Sequence, residues 1–293
     1  MGNLTLKQTL NELIRSGFHF ETAQDKLLIK GDLSALSEAQ KQFLREHKAA
    51  IIQLIENQTA KALPIRPMDS KAPRLLSYSQ QGLWLLDKIN SGSQQYNITS
   101  AFRLAGELDE AALQQTFYTI LERHESLRSS FSVNAGGQPV QSVQSAEHFQ
   151  LLKETLNPVN GDLEAQVVER YKVEAGRVFD LTKDLLLSVQ LLRLDNTLHY
   201  LIINMHHIAS DGWSMGLLVR EFTTLYNSYV LGETNPLPDL PIQYADYAQW
   251  QRQWLKGAVL QSYIDYWKQQ LAGLPVLHNL PLDKPRPRVQ RFE

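Results

Sequence analysis

The sequence of 293 residues contains no cysteine. That absence excludes a disulfide scaffold, a thiolate zinc site and a cysteine nucleophile together. Neither charge is in excess: 29 basic residues face 31 acidic ones, a net charge of −2. A nucleic-acid binder ordinarily carries a large basic surplus to neutralise phosphates, so that class is set aside. No apolar run approaches the length that spans a bilayer, and no membrane segment is expected. Charges interrupt Met1 to Gly17 before any stretch reaches signal-peptide length. Leu6 stands where a myristoylation signal needs a hydroxyl. The chain reads as a soluble, cytoplasmic protein. Apolar residues make up 43% and charged residues 20%, which supports a packed core and excludes wholesale disorder.

Three regions follow from patterning. Leu6, Leu10, Leu13 and Ile14 recur at helical spacing, and Gly17 ends that helix. Phe18 to Glu21 and Lys26 to Lys30 read as a hairpin closed by Gly31. Ser37 to Gln40 has capping-box spacing before a helix carrying Phe43, Leu44, Ile51, Leu54 and Ile55. Residues 1–57 thus form a helix, hairpin and helix, small for an independent core. Residues 58–73 contain three prolines and read as a linker. From Arg74 to residue 293 helices and strands alternate. Helices are expected over 77–89, from an Asp109 cap, weakly over 162–175, over 213–231, and twice after the proline-rich stretch at 237–243. Strands are expected over 97–104, 127–133, 185–194 and 198–205. This is an α/β chain, an α+β sandwich with a mixed sheet covered by helices.

The chemistry concentrates in one stretch. A hydrophobic strand runs through Leu201, Ile202 and Ile203 into His206 and His207, then a short loop, then Asp211 and Gly212 at a helix start. Neighbouring strand side chains point to opposite faces, so the two histidines cannot share one pocket. One faces a cavity and the other packs inside. The nearby helix start supplies backbone N–H groups where negative charge is favoured. A bare pair of histidines is more often structural than catalytic. No third ligand stands at a metal-site spacing, so no metal is expected.

The stretch from His206 to Ser214 resembles the HHxxxDG active-site motif of nonribosomal peptide synthetase condensation domains, and the motif is complete. Ser77 to Leu86 resembles the family's SxxQxxLWxL helix, Arg123 to Arg128 its RHExLR segment, and Tyr244 to Gln251 its YxDYAxWQ segment. Four motifs in family order cover residues 74–293. Heterocyclization domains replace both histidines with aspartates, and epimerization domains continue differently after the glycine. The resemblance implies a chloramphenicol-acetyltransferase-like lobe, the first of two, with the C-terminal lobe absent from these 293 residues. A fragment of that kind is expected not to condense substrates at a useful rate alone.

The implied reaction is amide formation between a donor acyl thioester and an acceptor aminoacyl thioester, both on phosphopantetheine arms of carrier proteins. No cofactor is bound directly. The partners implied are the donor and acceptor carrier proteins, with no nucleic acid and no membrane. By the motif His207 is catalytic, as a base or by positioning the amine, and the backbone N–H of Gly212 is a candidate oxyanion donor. His206 supports by packing. Asp211 is expected to form a buried ion pair with Arg128, favoured over Arg123. Trp84, Trp213, Trp250 and Tyr244 are read as core aromatics.

Residues 1–57 resemble the N-terminal docking domains of tubulysin-type synthetases, which receive the C-terminal tail of the upstream synthetase. The hairpin edge Lys26, Leu27, Leu28, Ile29 and Lys30 would accept that tail as an added strand. Equally, the two lysines do no more than keep an edge strand soluble. With seven basic and seven acidic residues in 1–56, overall attraction is weak. Two alternatives stand beside the enzyme reading: a docking module alone, and a free acyltransferase of the chloramphenicol acetyltransferase kind.

Overall fold

The computed structural model describes residues 6, 9–10, 12–14, 16–23, 26–52, 64–69, 72–90, 92, 94–158, 162–275, 281 and 283–284. The chain divides between Pro64 and Ile65 into two compact units, each with its own apolar core. Part of the expected linker belongs to the second unit, where the Met68 N–H donates to Asp246 Oδ1 at 2.8 Å.

In the first unit, helical residues before Gly17 bury Leu6, Leu10 and Leu13. Ile14, expected on the same face, is instead 45% exposed, because each residue step turns a helix by about 100°. Strands β1 (His19–Ala23) and β2 (Lys26–Lys30) pair antiparallel, His19 opposite Lys30. Gly31 follows at φ +139, and a Cβ there would stand 2.8 Å from Cδ1 of the buried Phe18 ring. Glycine lets that ring close the core. Helix α1 (Glu38–Glu46) starts on the expected capping box, with Ser37 and Gln40 satisfying each other's amides. Leu36, Leu44 and Ile51 complete the core. Leu54 and Ile55 lie outside the described residues.

The second unit is built on a four-stranded mixed sheet. In chain order its elements are α2 (Tyr78–Asn90), β3 (Asn97–Ala105), α3 (Glu110–Arg123), β4 (Ser129–Val133), β5 (Pro139–Val143), β6 (Leu152–Thr155), α4 (Leu163–Ala175), β7 (Leu187–Arg193), β8 (Leu198–His206), α5 (Gly212–Val230), α6 (Tyr244–Trp254) and α7 (Gly257–Gln270). The sheet order is β3-β8-β7-β6, antiparallel except for the β6–β7 pair. A separate hairpin joins β4 to β5. One face of β8, through Leu201, Ile203 and Met205, packs on Leu113, Phe117 and Ile120 of α3 and on Leu218 and Leu225 of α5. On the opposite face Ile202 meets Val167 of α4. Sandwiched on both sides, β8 reads as the near-continuous apolar run seen in its sequence. It delivers its last residue, His206, to the turn that leads into α5.

Candidate active site

Strand alternation and one backbone hydrogen bond decide the two histidines. The His207 N–H donates to Tyr96 C=O at 2.8 Å, and beyond it the chain leaves the sheet in a turn. His206 is 1% exposed, whereas His207 is exposed. The His206 ring lies edge-on to Phe179 at 5.9 Å and near Tyr96 at 6.3 Å. Its Nδ1 accepts the Ile208 N–H at 3.1 Å, so the ring proton sits on Nε2. Burial, with a smaller contribution from His207, pulls its pKa down to about 4. His206 is therefore a neutral ring at physiological pH. Its own C=O accepts the Ala209 N–H at 3.0 Å and the Ser210 hydroxyl at 3.2 Å. The turn is thus wound around position 206 and turns position 207 outward.

Helix α5 starts a few residues later. Asp211 is its N-cap: Oδ1 accepts the Ser214 N–H at 2.8 Å and the Ser214 hydroxyl at 2.7 Å, and the Asp211 N–H returns to Ser214 Oγ. The hydrogen bonds from Ser214 hold its carboxyl below the ordinary aspartate range. The expected buried pair of Asp211 with Arg128 does not form. Asp211 is exposed, and capping uses its carboxylate locally. Arg128 donates instead to the carbonyls of Leu121, Glu122 and Gln144 at 2.8, 3.2 and 2.6 Å, the first two being acceptors left over at the end of α3. Arg123 is not the partner of Asp211 either. Its Nε donates to Glu221 Oε1 at 3.1 Å, and His124 Nε2 meets Glu221 Oε2 at 2.6 Å. Glu221 is 6% exposed on the apolar face of α5. It is the residue that the sequence reading missed, and its signal was a carboxylate among Leu218, Phe222 and Leu225.

A chain of hydrogen bonds links the other three motif segments to this turn. Gln80, 2% exposed, donates from Nε2 to Ile208 C=O at 3.3 Å. Ser77 and Gln80 cap each other at 3.1 Å, and Ser77 Oγ contacts Tyr244 Oη at 3.1 Å. Gln243, just before Tyr244, donates to Arg123 C=O and accepts from the Glu125 N–H. Gly212 opens α5 with nothing within 4 Å of where a Cβ would stand, so packing does not demand a glycine there. Among the expected core aromatics, Trp84 and Trp250 are half-buried, and Tyr244 is exposed. Trp213 is a clear correction at 83% exposed, because the second residue of α5 projects away from the sheet. Among the described residues no cluster of metal-ligating side chains occurs, and no helix is long and apolar enough to cross a membrane.

A family model described as condensation domain matches residues 72–293. The chain belongs to the condensation-domain family. Relatives of this condensation domain include malpinin synthetase of Mortierella alpina, 36% identical over 239 residues. That match covers 82% of this chain and 3% of the relative. Phosphinothricin tripeptide synthetase PhsC of Streptomyces viridochromogenes is 36% identical, covering 79% of this chain and 21% of the relative. The chain therefore spans a small part of the curated relatives it matches. Among solved structures, the X-domain from teicoplanin biosynthesis has a TM-score of 0.66 at 28% identity, covering 77% of this chain and 49% of its own. The EpoB cyclization-docking bidomain from Sorangium cellulosum has a TM-score of 0.68 at 23% identity, covering 97% and 56%. Both share the fold of the condensation domain described above.

Two predictions follow from the geometry. Asp211→Ala, losing one exposed cap, should cost about 1 kcal/mol of second-unit stability. Glu221→Ala, leaving the Arg123 side chain at 11% exposure without its carboxylate partner, should cost roughly 3–5 kcal/mol. Denaturant unfolding of both variants checks the order; the reverse order would return the structural role to Asp211. The second concerns pH. Unfolded His206 takes up a proton near pH 6.5 and folded His206 only near pH 4, so between these values the unfolded state binds more protons and stability rises with pH. At about 1.4 kcal/mol per pH unit, stability should climb by about 3 kcal/mol from pH 4 to 6.5 on this account. His206→Asn keeps an acceptor for the Ile208 N–H and cannot titrate. Its stability should lack that climb, and equal slopes in both proteins would contradict the burial argument.

Proposed function

We propose that the second unit is the catalytic lobe of a nonribosomal peptide synthetase condensation domain, with His207 as its working side chain. One observation carries the reading. An exposed imidazole leaves a fully buried strand end and stands five residues before the first N–H groups of a helix, in a chain of this family. The acceptor α-amine attacks the thioester carbonyl of the donor, the C–N bond forms, and the C–S bond breaks to release the thiol of the donor's phosphopantetheine arm. The nitrogen becomes positive on attack and must lose a proton. An exposed imidazole can receive it or steady the charge. The Gly212 N–H, at the positive end of α5, faces the charge that gathers on the carbonyl oxygen. The open space at Gly212 favours that role, since a side chain there would occupy the room a substrate needs. Donor and acceptor carrier proteins are the partners of this reading, and no cofactor is required in the lobe itself.

We assign the first unit to docking of an upstream synthetase's C-terminal tail. Support comes from β2. Leu27 and Ile29 turn toward the core, while Lys26, Leu28 and Lys30 are exposed. Beside β2 lies a pocket of about 270 Å³ lined by Leu27, Ile29, Leu33, Leu36 and Leu44 and rimmed by Lys41, Arg45 and Lys48. The rim residues recur at helical spacing, so a stretch whose residues 1–56 are neutral in sum has one basic face. An extended acidic tail with apolar side chains fits both strand edge and pocket.

His207→Ala, made in the polypeptide that holds the whole domain, should lower amide formation on loaded carriers by about 10²–10⁴. Stability should stay within the ~0.5 kcal/mol usual for an exposed position. Activity kept within a few-fold would remove His207 from the chemistry. For docking, titrating the 293-residue chain with the upstream acidic tail peptide should shift the NMR signals of residues 26–30, and Arg45→Glu should weaken binding by roughly tenfold. Unchanged signals at 26–30 would eliminate strand addition.

A further inference from the structure

The sheet has a notch at the start of β7. The His206 N–H donates to Leu186 C=O at 3.2 Å, so strand alternation turns the N–H of Leu187 to the opposite edge of β7. On that edge β6 pairs with β7 only from Gln190 onward. A cavity of about 300 Å³ lies in the gap, with Leu187 in its wall. Three basic side chains reach it from three segments: His148 before β6, Arg177 after α4 and Lys183 before β7. Ser188 also lines it; this residue is 6% exposed, and its hydroxyl accepts from Arg177 Nη1 at 3.1 Å. The Arg177 guanidinium lies over the Phe179 ring at 5.1 Å, so serine and ring together hold it in place.

The acids nearby do not use up this charge. Asp184, in the same wall, accepts the Asp180 N–H on Oδ2 at 3.0 Å. Lys183 meets Asp180 at 3.2 Å, with side chains 73% and 43% exposed, a pair that solvent weakens. Glu174 Oε1 stands 3.9 Å from Arg177 Nη1, beyond hydrogen-bond reach.

We infer that this notch binds a phosphate-type oxyanion. A guanidinium matches phosphate oxygens with its fork, and charge-assisted bonds of this kind are the strong ones. Donors arriving from three segments suit a tetrahedral group, which offers oxygens in several directions, better than a planar carboxylate. The cavity exceeds one phosphate, and Leu152 and Leu185 give it an apolar side for the organic part of a phosphate ester. The site stands one ring away from the inner histidine, because His206 packs edge-on to the same Phe179 at 5.9 Å. An anion that holds Arg177 therefore steadies the wall behind His206. This inference does not depend on the role of His207.

Titrating the 293-residue chain with inorganic phosphate tests it, following the NMR signals of residues 148–150, 177 and 183–188. Those signals should shift saturably, while chloride at matched ionic strength leaves them in place. Arg177→Gln should weaken binding at least about tenfold, the loss of one charge-assisted contact. Lys183→Gln, at an exposed position that the fold tolerates, should weaken it roughly threefold. Absence of a saturable shift at these residues would overturn the inference. So would shifts that persist unchanged in both variants, the mark of diffuse screening rather than a site. Phosphopantetheine compared with inorganic phosphate separates the sources: tighter binding of the ester assigns an organic phosphate, and equal or weaker binding a free one.

Discussion

Everything at the candidate site depends on burying a neutral imidazole at the end of β8. A strand alternates its side chains, so the two histidines part at position 206. Because β8 is covered on both faces, it is the turn starting at position 207 that carries the second one outside. His206 is held by burial against Phe179 and Tyr96 and by the Ile208 N–H on its Nδ1. A charged ring would lose that acceptor and suffer desolvation. A wholly apolar residue would bury as well, but it would leave the Ile208 N–H without its partner, and an unpaired buried donor is costly. Histidine satisfies both demands, filling space as a ring and accepting as a base. The inner histidine thus sets the geometry of the outer one without entering its chemistry.

A second layer holds the turn from outside. Gln80 reaches from α2 to Ile208 C=O, and Ser77 on the same segment contacts Tyr244 of α6. Glu221 draws Arg123 and His124 onto α5, which starts at the turn itself. Arg128 closes the end of α3. The four motif strings are therefore different pieces of one frame. They are separated in sequence because α2, α3, β8 and α6 each supply one side of it. Buried polar pairs of this kind contribute modest net stability. Their effect is geometric, since each bond admits few alternative placements of the turn.

Much of this was legible in the sequence. The strand ending in two histidines, the cap at Asp109, the capping box at Ser37 and the hairpin at Lys26–Lys30 each rest on local rules, and the structure follows them. The failures were non-local. A carboxylate one residue before a helix can cap it or reach for a distant arginine, and spacing alone does not choose. Asp211 caps, and Arg123 found Glu221, 98 residues away. Trp213 read as core because tryptophan usually is, yet the start of α5 turns it to solvent. β6 escaped notice because it is four residues long and pairs parallel to β7, a partner supplied by chain more than thirty residues later.

Local charge shows the same limit of counting. In residues 1–56 basic and acidic residues balance, which argued for weak attraction to any charged tail. The fold sorts them: Lys41, Arg45 and Lys48 share the rim of one apolar pocket beside β2. Glu38 sits one turn back and draws on Lys41 at 2.8 Å, so Arg45 and Lys48 carry most of the field into the pocket. Interactions between exposed charges fade beyond about 10 Å at moderate salt. A peptide in that pocket therefore responds to the near rim and hardly to the balancing acids elsewhere. Net charge constrains solubility, whereas recognition depends on which charges a helix places on one face.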